Sequence, residues 1–377
     1  NVYTLLLAPQ AAGLFHRAIV QSGGIRYSDA EHAENWRDDP TPGHPRSSNE
    51  ITARLLVAAG RARDREEAKA IVAGMAPDEL ARFLRERSAQ EVMAAYLEDR
   101  GADEALLEMP RLFGDGAVLP AGDRLARFAR ADGWNRVPVI LGTTRDEYKL
   151  FMFMHPLYTR RWLGIVPRVR EPALYLAVSD AVSAMWKATG ADEPAAAMSR
   201  VSPDVFVYRF DWDEWPSLLG FDVGAYVGAA HGLEIPFVFG HWDLGPRARI
   251  LFRAENRPSR EALSDAMRSY WVQFAASGRP GGGLDGTLPE WAAWDPTPGG
   301  HKYLILDSEA DGGLRMGSEP VTVEAVVASV ASDPRLGSER ERCWVYHELA
   351  VRGRGFDRER YDSMECDAYP FDEFPWD

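Results

Sequence analysis

Two short segments carry residue types that can do chemistry together. Glu147 follows the apolar run at 137–141 through the loop GTTRDE, and His231 lies in GAAHGLE, just ahead of IPFVFG. Ionisable residues beside glycines after a buried strand carry weight because an open α/β sheet places its ligand crevice at the carboxyl ends of its parallel strands. A carboxylate next to an imidazole holds the ring in the tautomer that removes a proton, so Glu147 and His231 read as an orienter and its base. Blander readings stand beside this one. A histidine between small residues can simply donate to a backbone carbonyl, and Glu147 can be a solvated loop carboxylate. Asp146 is adjacent and equally eligible by residue type.

Other chemistries lack their patterns. The remaining histidines, His16, His32, His44, His155, His241, His301 and His347, are scattered and form no HExxH, so no metal is expected. Neither GxxxxGK[ST] nor a GxGxxG following a strand is present, and no cofactor is expected. Ser22, in AIVQSGG, follows an apolar stretch without the GxSxG elbow that holds a nucleophilic hydroxyl on a strained turn, and the 377 residues contain no GxSxG. Cys343 and Cys366 can pair once, with nothing in the sequence to decide it.

The elements that must position these residues follow from periodicity and punctuation. Residues 1–24 read as a helix, a turn at Ala8-Pro9 and a strand ending at Gly23-Gly24. Prolines 40, 42 and 45 mark 25–48 as an exposed loop. Ile51, Leu55 and Ala59 predict a helix stopped by Gly60, and Pro77 opens another with Leu80, Phe83 and Leu84 on one face. VPVIL at 137–141 fits a parallel strand covered on both faces, closed by Gly142-Thr143-Thr144. A third strand is expected at 205–210 and a final one at 303–306, with 148–200 largely helical. Leu263, Met267, Trp271 and Phe274 predict a helix from about Pro258 to Gly278. Strands separated by long helical stretches imply a mostly parallel α/β sheet.

Composition narrows the function classes. The chain has 46% hydrophobic residues and 12 Trp, 13 Tyr and 16 Phe, ample for a buried core. A formal charge of −14 argues against nucleic-acid and anionic-membrane partners. No apolar run is long enough to span a membrane. A soluble protein is expected, either cytoplasmic or secreted, and the preference for alanine and arginine over lysine hints at a bacterial source.

In order along the chain, several segments resemble the type-B carboxylesterase and cholinesterase family of α/β hydrolases. They are GLFHRAIVQSGG near the start, PDEL with FLR at 77–85, FGDGAVLP at 113–120, VPVILGTTRDEYKLF at 137–151, GAAHGLEIPFVFG at 228–240, and SYWVQFAASGRP with LPEWAAWDP at 269–296. The resemblance implies an α/β-hydrolase fold over 1–377, with a helical and loop-rich insertion around 25–135 and an irregular acidic tail at 356–377. It makes Glu147 the acid and His231 the base of a catalytic triad. Ser22 becomes a neighbour of Glu147, and Glu234 and Asp115 take structural roles. Trp271 either lines the gorge or packs the core. The family's serine elbow and oxyanion segment precede the residues matched by Asn1 onward, so the chain is expected to be an N-terminally truncated domain, inactive alone. The missing segment is then the partner it needs. In the complete polypeptide the expected activity is serine acyl-enzyme hydrolysis of a small carboxylic ester. The alternatives are a noncatalytic cholinesterase-like adhesion or scaffold protein and an inactive remnant.

Overall fold

A computed structural model describes residues 1–25, 28–98, 112–162, 166–243, 245, 248–352 and 355–374. The chain forms two compact units, one of residues 1–25 and 123–377 and the other of residues 26–122.

The larger unit is built on a five-stranded sheet. Its strands are β1 (Ala18–Gln21), β2 (Val139–Thr144), β5 (Val205–Phe210), β6 (Tyr303–Leu306) and β7 (Arg315–Gly317), in that spatial order. The first four run parallel, and β7 returns antiparallel at the edge. A separate antiparallel hairpin pairs β3 (Thr159–Trp162) with β4 (Val166–Val169). Every residue of β2 is buried, as a strand covered on both faces requires. Val139, Ile140 and Leu141 are fully buried, each contributing about 2 kcal/mol of hydrophobic transfer. β2 runs on through Gly142, Thr143 and Thr144, which therefore belong to the strand and do not terminate it.

Helix Arg257–Ser277 begins with proline in its first turn and ends at Gly278 in the left-handed conformation. It buries Leu263, Met267, Tyr270, Trp271 and Phe274 against the aromatic core that contains Tyr208 and Trp291. The 148–200 region is helical at Lys149–Met154, Pro172–Lys187 and Glu193–Met198, but the β3–β4 hairpin interrupts it. A five-residue π-helical turn, Ala188–Asp192, joins the last two helices. The described part of the acidic tail packs and includes a short helix. Helix Arg358–Asp362 follows helix Glu339–Arg352, Cys343 is bonded to Cys366, and Phe356, Tyr361 and Phe374 are buried. Residues 375–377 of the tail lie outside the described residues.

The smaller unit is helical: Ala30–Glu34, Ser48–Ala58, Arg65–Gly74, Pro77–Arg85 and Ala89–Leu97. Side-chain caps start three of these helices, from Ser47, Asp64 and Ser88, the last completed by Glu91 as a capping box. Trp36, Ile51, Leu55, Leu56 and Phe83 form its core. The segment 25–48 is thus not simply an exposed loop, because it contributes a helix and the buried Trp36. Leu84 points outward, leaving Phe83 as the buried residue of its helix. Asp115 accepts from the backbone N–H groups of Ala117, Val118 and Leu119, which fixes the FGDGAVLP turn. Residues 99–111 of the expected insertion lie outside the described residues.

Candidate active site

Parallel strands deliver the site residues from their carboxyl ends. β1 ends at Gln21, and Ser22 extends the pairing by donating its N–H to Gly142 O at 2.8 Å. Ser22 sits at φ 49°, a left-handed conformation that costs about 1 kcal/mol or more for a residue with a Cβ. That conformation is compensated by an aimed side chain, whose hydroxyl donates to Glu147 Oε1 at 2.6 Å.

Glu147 follows β2 and is fully buried. Its Oε1 also accepts the N–H of Thr144 at 2.8 Å, while Oε2 lies 2.7 Å from His231 Nδ1. The carboxylate is therefore fixed from one side by Ser22 and Thr144 and presents its other oxygen to the imidazole. The His231 side chain is 36% exposed. With Nδ1 turned to Glu147, proton exchange with a reacting group falls to Nε2.

Asp146 has a different task from its neighbour. Its N–H donates to Ala229 O and its Oδ2 accepts from Ala229 N–H, both at 3.0 Å, so it grips the segment that carries His231. Lys149 and Arg145 pair with the same carboxylate at 2.9 Å. Burial pushes the Asp146 carboxyl upward, but these two cations outweigh it and hold it below the ordinary carboxylate value. Gly228 permits the grip. It has φ 58°, and a Cβ there would stand 2.3 Å from Asp146 Oδ2. Its carbonyl accepts from Trp215 Nε1 at 2.8 Å, a further tether.

Glu234, buried just beyond His231, receives Gln21 Nε2 on Oε1 at 3.3 Å. Desolvation, followed by the charge of Glu147, pushes its carboxyl up to about 6. Tyr208 lies in the same charged neighbourhood; burial first, and then Glu234 and Glu147, raise its hydroxyl well above the ordinary value. Trp271 is elsewhere, in the core against Tyr208 and Trp291 at ring separations of 5.2 and 5.6 Å.

The structure thus brings together Ser22, Glu147, His231 and Glu234, and leaves Trp271 in the packing of the sheet. Sequence reasoning missed Gln21, Phe151 and Trp186. The Trp186 ring centroid is 4.9 Å from that of His231, and the Phe151 centroid is 5.4 Å away. The signal for Trp186 was faint: one large aromatic in the small-residue stretch SAMWKATG. Among the described residues no group of three or more His, Cys, Asp or Glu is placed to hold a metal ion.

The sequence profile of the Carboxylesterase family matches residues 1–162 and 168–321. The chain belongs to the carboxylesterase family. Relatives of the chain include the para-nitrobenzyl esterase of Bacillus subtilis, 27% identical over 82% of this chain and 56% of its own. The medium-chain fatty acyl-CoA hydrolase precursor of Anas platyrhynchos is 27% identical over 81% of this chain and 52% of its own. The chain therefore spans about half the length of the curated relatives it matches. Among solved structures, the carboxylesterase of Geobacillus stearothermophilus matches with a TM-score of 0.50 and 25% identity, covering 85% of this chain and 58% of that one. The α/β-hydrolase fold expected from the sequence is the fold of these structural neighbours. No helix among the described residues is long and apolar enough to cross a membrane.

Proposed function

We propose that the complete polypeptide is a serine carboxylesterase in which His231 is the general base and acid and Glu147 its orienting carboxylate. The observation that carries this reading is the 2.7 Å contact between His231 Nδ1 and a fully buried Glu147 whose other oxygen is already occupied by Ser22 and Thr144. In this reading the complete polypeptide supplies a serine hydroxyl as the nucleophile, held within reach of His231 Nε2. As that oxygen attacks the ester carbonyl, His231 Nε2 takes its proton, and the imidazolium is stabilised by Glu147. The tetrahedral intermediate collapses, the C–O bond to the alcohol breaks, and Nε2 returns the proton to the departing alkoxide. Water then repeats the sequence: His231 takes its proton, the acid is released, and the serine regains its hydrogen. Ser22 cannot serve as the nucleophile in this scheme, because its hydroxyl is committed to the carboxylate that orients the base.

Small carboxylic esters are the substrate class proposed, with Ser22 and Glu234 supporting the pair from behind. Steady-state hydrolysis of a short-chain p-nitrophenyl ester by the complete polypeptide tests the reading. His231→Ala is expected to lower kcat by about 10⁴-fold or more, on the scale of losing a triad member. Turnover that survives the substitution would return the protein to the noncatalytic alternative.

A further inference from the structure

Trp186 touches the candidate base from a side that the triad scheme does not use. Its indole lies 4.9 Å from the His231 ring, centroid to centroid, with the planes 36° apart. Phe151 stacks on the same indole at 6.3 Å and 7°, and itself reaches the imidazole at 5.4 Å. Trp186 Nε1 donates to the backbone carbonyl of Ser22 at 3.2 Å. A closed ring of contacts results. Trp186 holds Ser22, the Ser22 hydroxyl holds Glu147, Glu147 holds His231, and His231 meets the Trp186 ring.

The backbone fixes the indole as firmly as these contacts do. Trp186 is 7% exposed and stands in the last turn of helix Pro172–Lys187, two residues before the π-helical turn begins at Ala188. That turn is pinned by Tyr3, whose hydroxyl donates to Gly190 O at 2.7 Å. It approaches β1's exit so closely that a Cβ on Gly190 would stand 2.5 Å from Gly23 O. Single π-helical turns inside helices are frequent at functional sites.

We propose that Trp186 is a positioning residue that favours the protonated form of His231 by offering its ring face to the imidazolium. This rests on the reading of His231 as the general base. An aromatic face attracts a cation more strongly than it attracts the neutral ring, so its contribution is largest when the proton has arrived. Glu147 holds Nδ1, and Glu234 lies behind on the histidine's own segment. Lys149 is paired with Asp146, Lys187 is paired with Asp192, and Gln21 and Ser22 are neutral.

The test is a pH titration of the His231 imidazole by ¹H–¹⁵N NMR on histidine-labelled protein, with His231→Ala supplying the assignment. Wild type is compared with Trp186→Phe and Trp186→Leu. Loss of the face in Trp186→Leu is expected to lower the titration midpoint by about half a pH unit to one unit. Trp186→Phe, which keeps a face and loses the N–H, is expected to lower it by less than half as much. A midpoint unchanged in Trp186→Leu overturns the proposal. So does a Trp186→Phe midpoint that falls as far as that of Trp186→Leu, which would place the effect in the bond to Ser22. Near-UV circular dichroism checks folding, and Trp186→Met carries the same expectation should the leucine variant not fold. Ester turnover of the complete polypeptide separates the two ideas. A shifted midpoint without turnover in wild type removes the esterase reading alone, and turnover abolished by His231→Ala with an unshifted midpoint removes the role of Trp186 alone.

Discussion

Glu147 and Glu234 are carboxylates of the same neighbourhood in opposite circumstances. The first is tied to two hydrogen-bond donors and an imidazole; the second is buried with Gln21 as its side-chain donor and feels the charge of the first. Glu234 therefore holds its proton up to about pH 6, against an ordinary value of 4.5. The sign follows from which state binds protons more tightly. Folding raises this carboxyl, so its ionisation is harder in the folded chain, and stability falls as pH rises from 4.5 through 6. Above that window the penalty is constant at about 2 kcal/mol. Glu234→Gln is expected to raise the urea midpoint at pH 8 and to give no gain at pH 4. An equal effect at both pH values would locate the change in packing and not in charge. At this scale the sequence exposes Glu147 and His231 through their flanking motifs, but not their division of labour with Asp146. Neighbours on one loop have the same composition around them, and only the turn geometry sends one carboxylate to an imidazole and the other to a backbone N–H.

The loop after β2 and the segment before His231 are one mechanical element, joined by Asp146. Its carboxylate serves Ala229, Arg145 and Lys149 together, and Lys149 is itself buried. Asp146→Ala removes the acceptor and leaves a buried ammonium unpaired, a loss of about 3 kcal/mol or more. The expected result is a lower urea midpoint together with reduced ester turnover in the complete polypeptide, because the histidine segment loses its grip. A stable variant with full turnover would contradict the role given to this clamp. Strong periodicity made other elements readable: VFVYRF is a strand at 205–210, and the spacing from Leu263 to Phe274 gives a helix whose ends lie at a proline and a glycine. The β3–β4 hairpin escaped because Thr159-Arg160-Arg161 offers no apolar run, and β7 because three residues at a partly exposed edge show no alternation. The 25–48 segment was misread because its prolines mark turns, yet turns can frame a buried tryptophan as readily as an open loop.

For the larger unit as a body, the C-terminal part adds a second hydrophobic core. Trp344, Val345, Leu349, Phe356, Tyr361 and Phe374 pack with residues of helix Pro172–Lys187, and the Cys343–Cys366 bond closes a separation of 23 residues. In the chain-entropy picture a loop of that size is worth about 3 kcal/mol. Reductant, or the paired substitution Cys343→Ala with Cys366→Ala, is expected to lower the urea midpoint accordingly. Identical midpoints with and without reductant would show that the aromatic packing suffices. The pairing itself was beyond the sequence, since two cysteines in a long chain satisfy no spacing rule.

The same topology that aligns the site also separates its parts along the chain. Ser22 and Glu147 are 125 positions apart, Glu147 and His231 84, and the first parallel pairing joins Ala18 to Val139. Pairings of such long range close large loops before any contact rewards them, and parallel sheets accordingly form slowly. Helix Arg257–Ser277 needs only its neighbours along the chain to begin, whereas the carboxylate meets the imidazole only after β1, β2 and β5 are in register. Contact between Glu147 and His231 is therefore expected late on the folding pathway, after helices such as Arg257–Ser277 have begun to form.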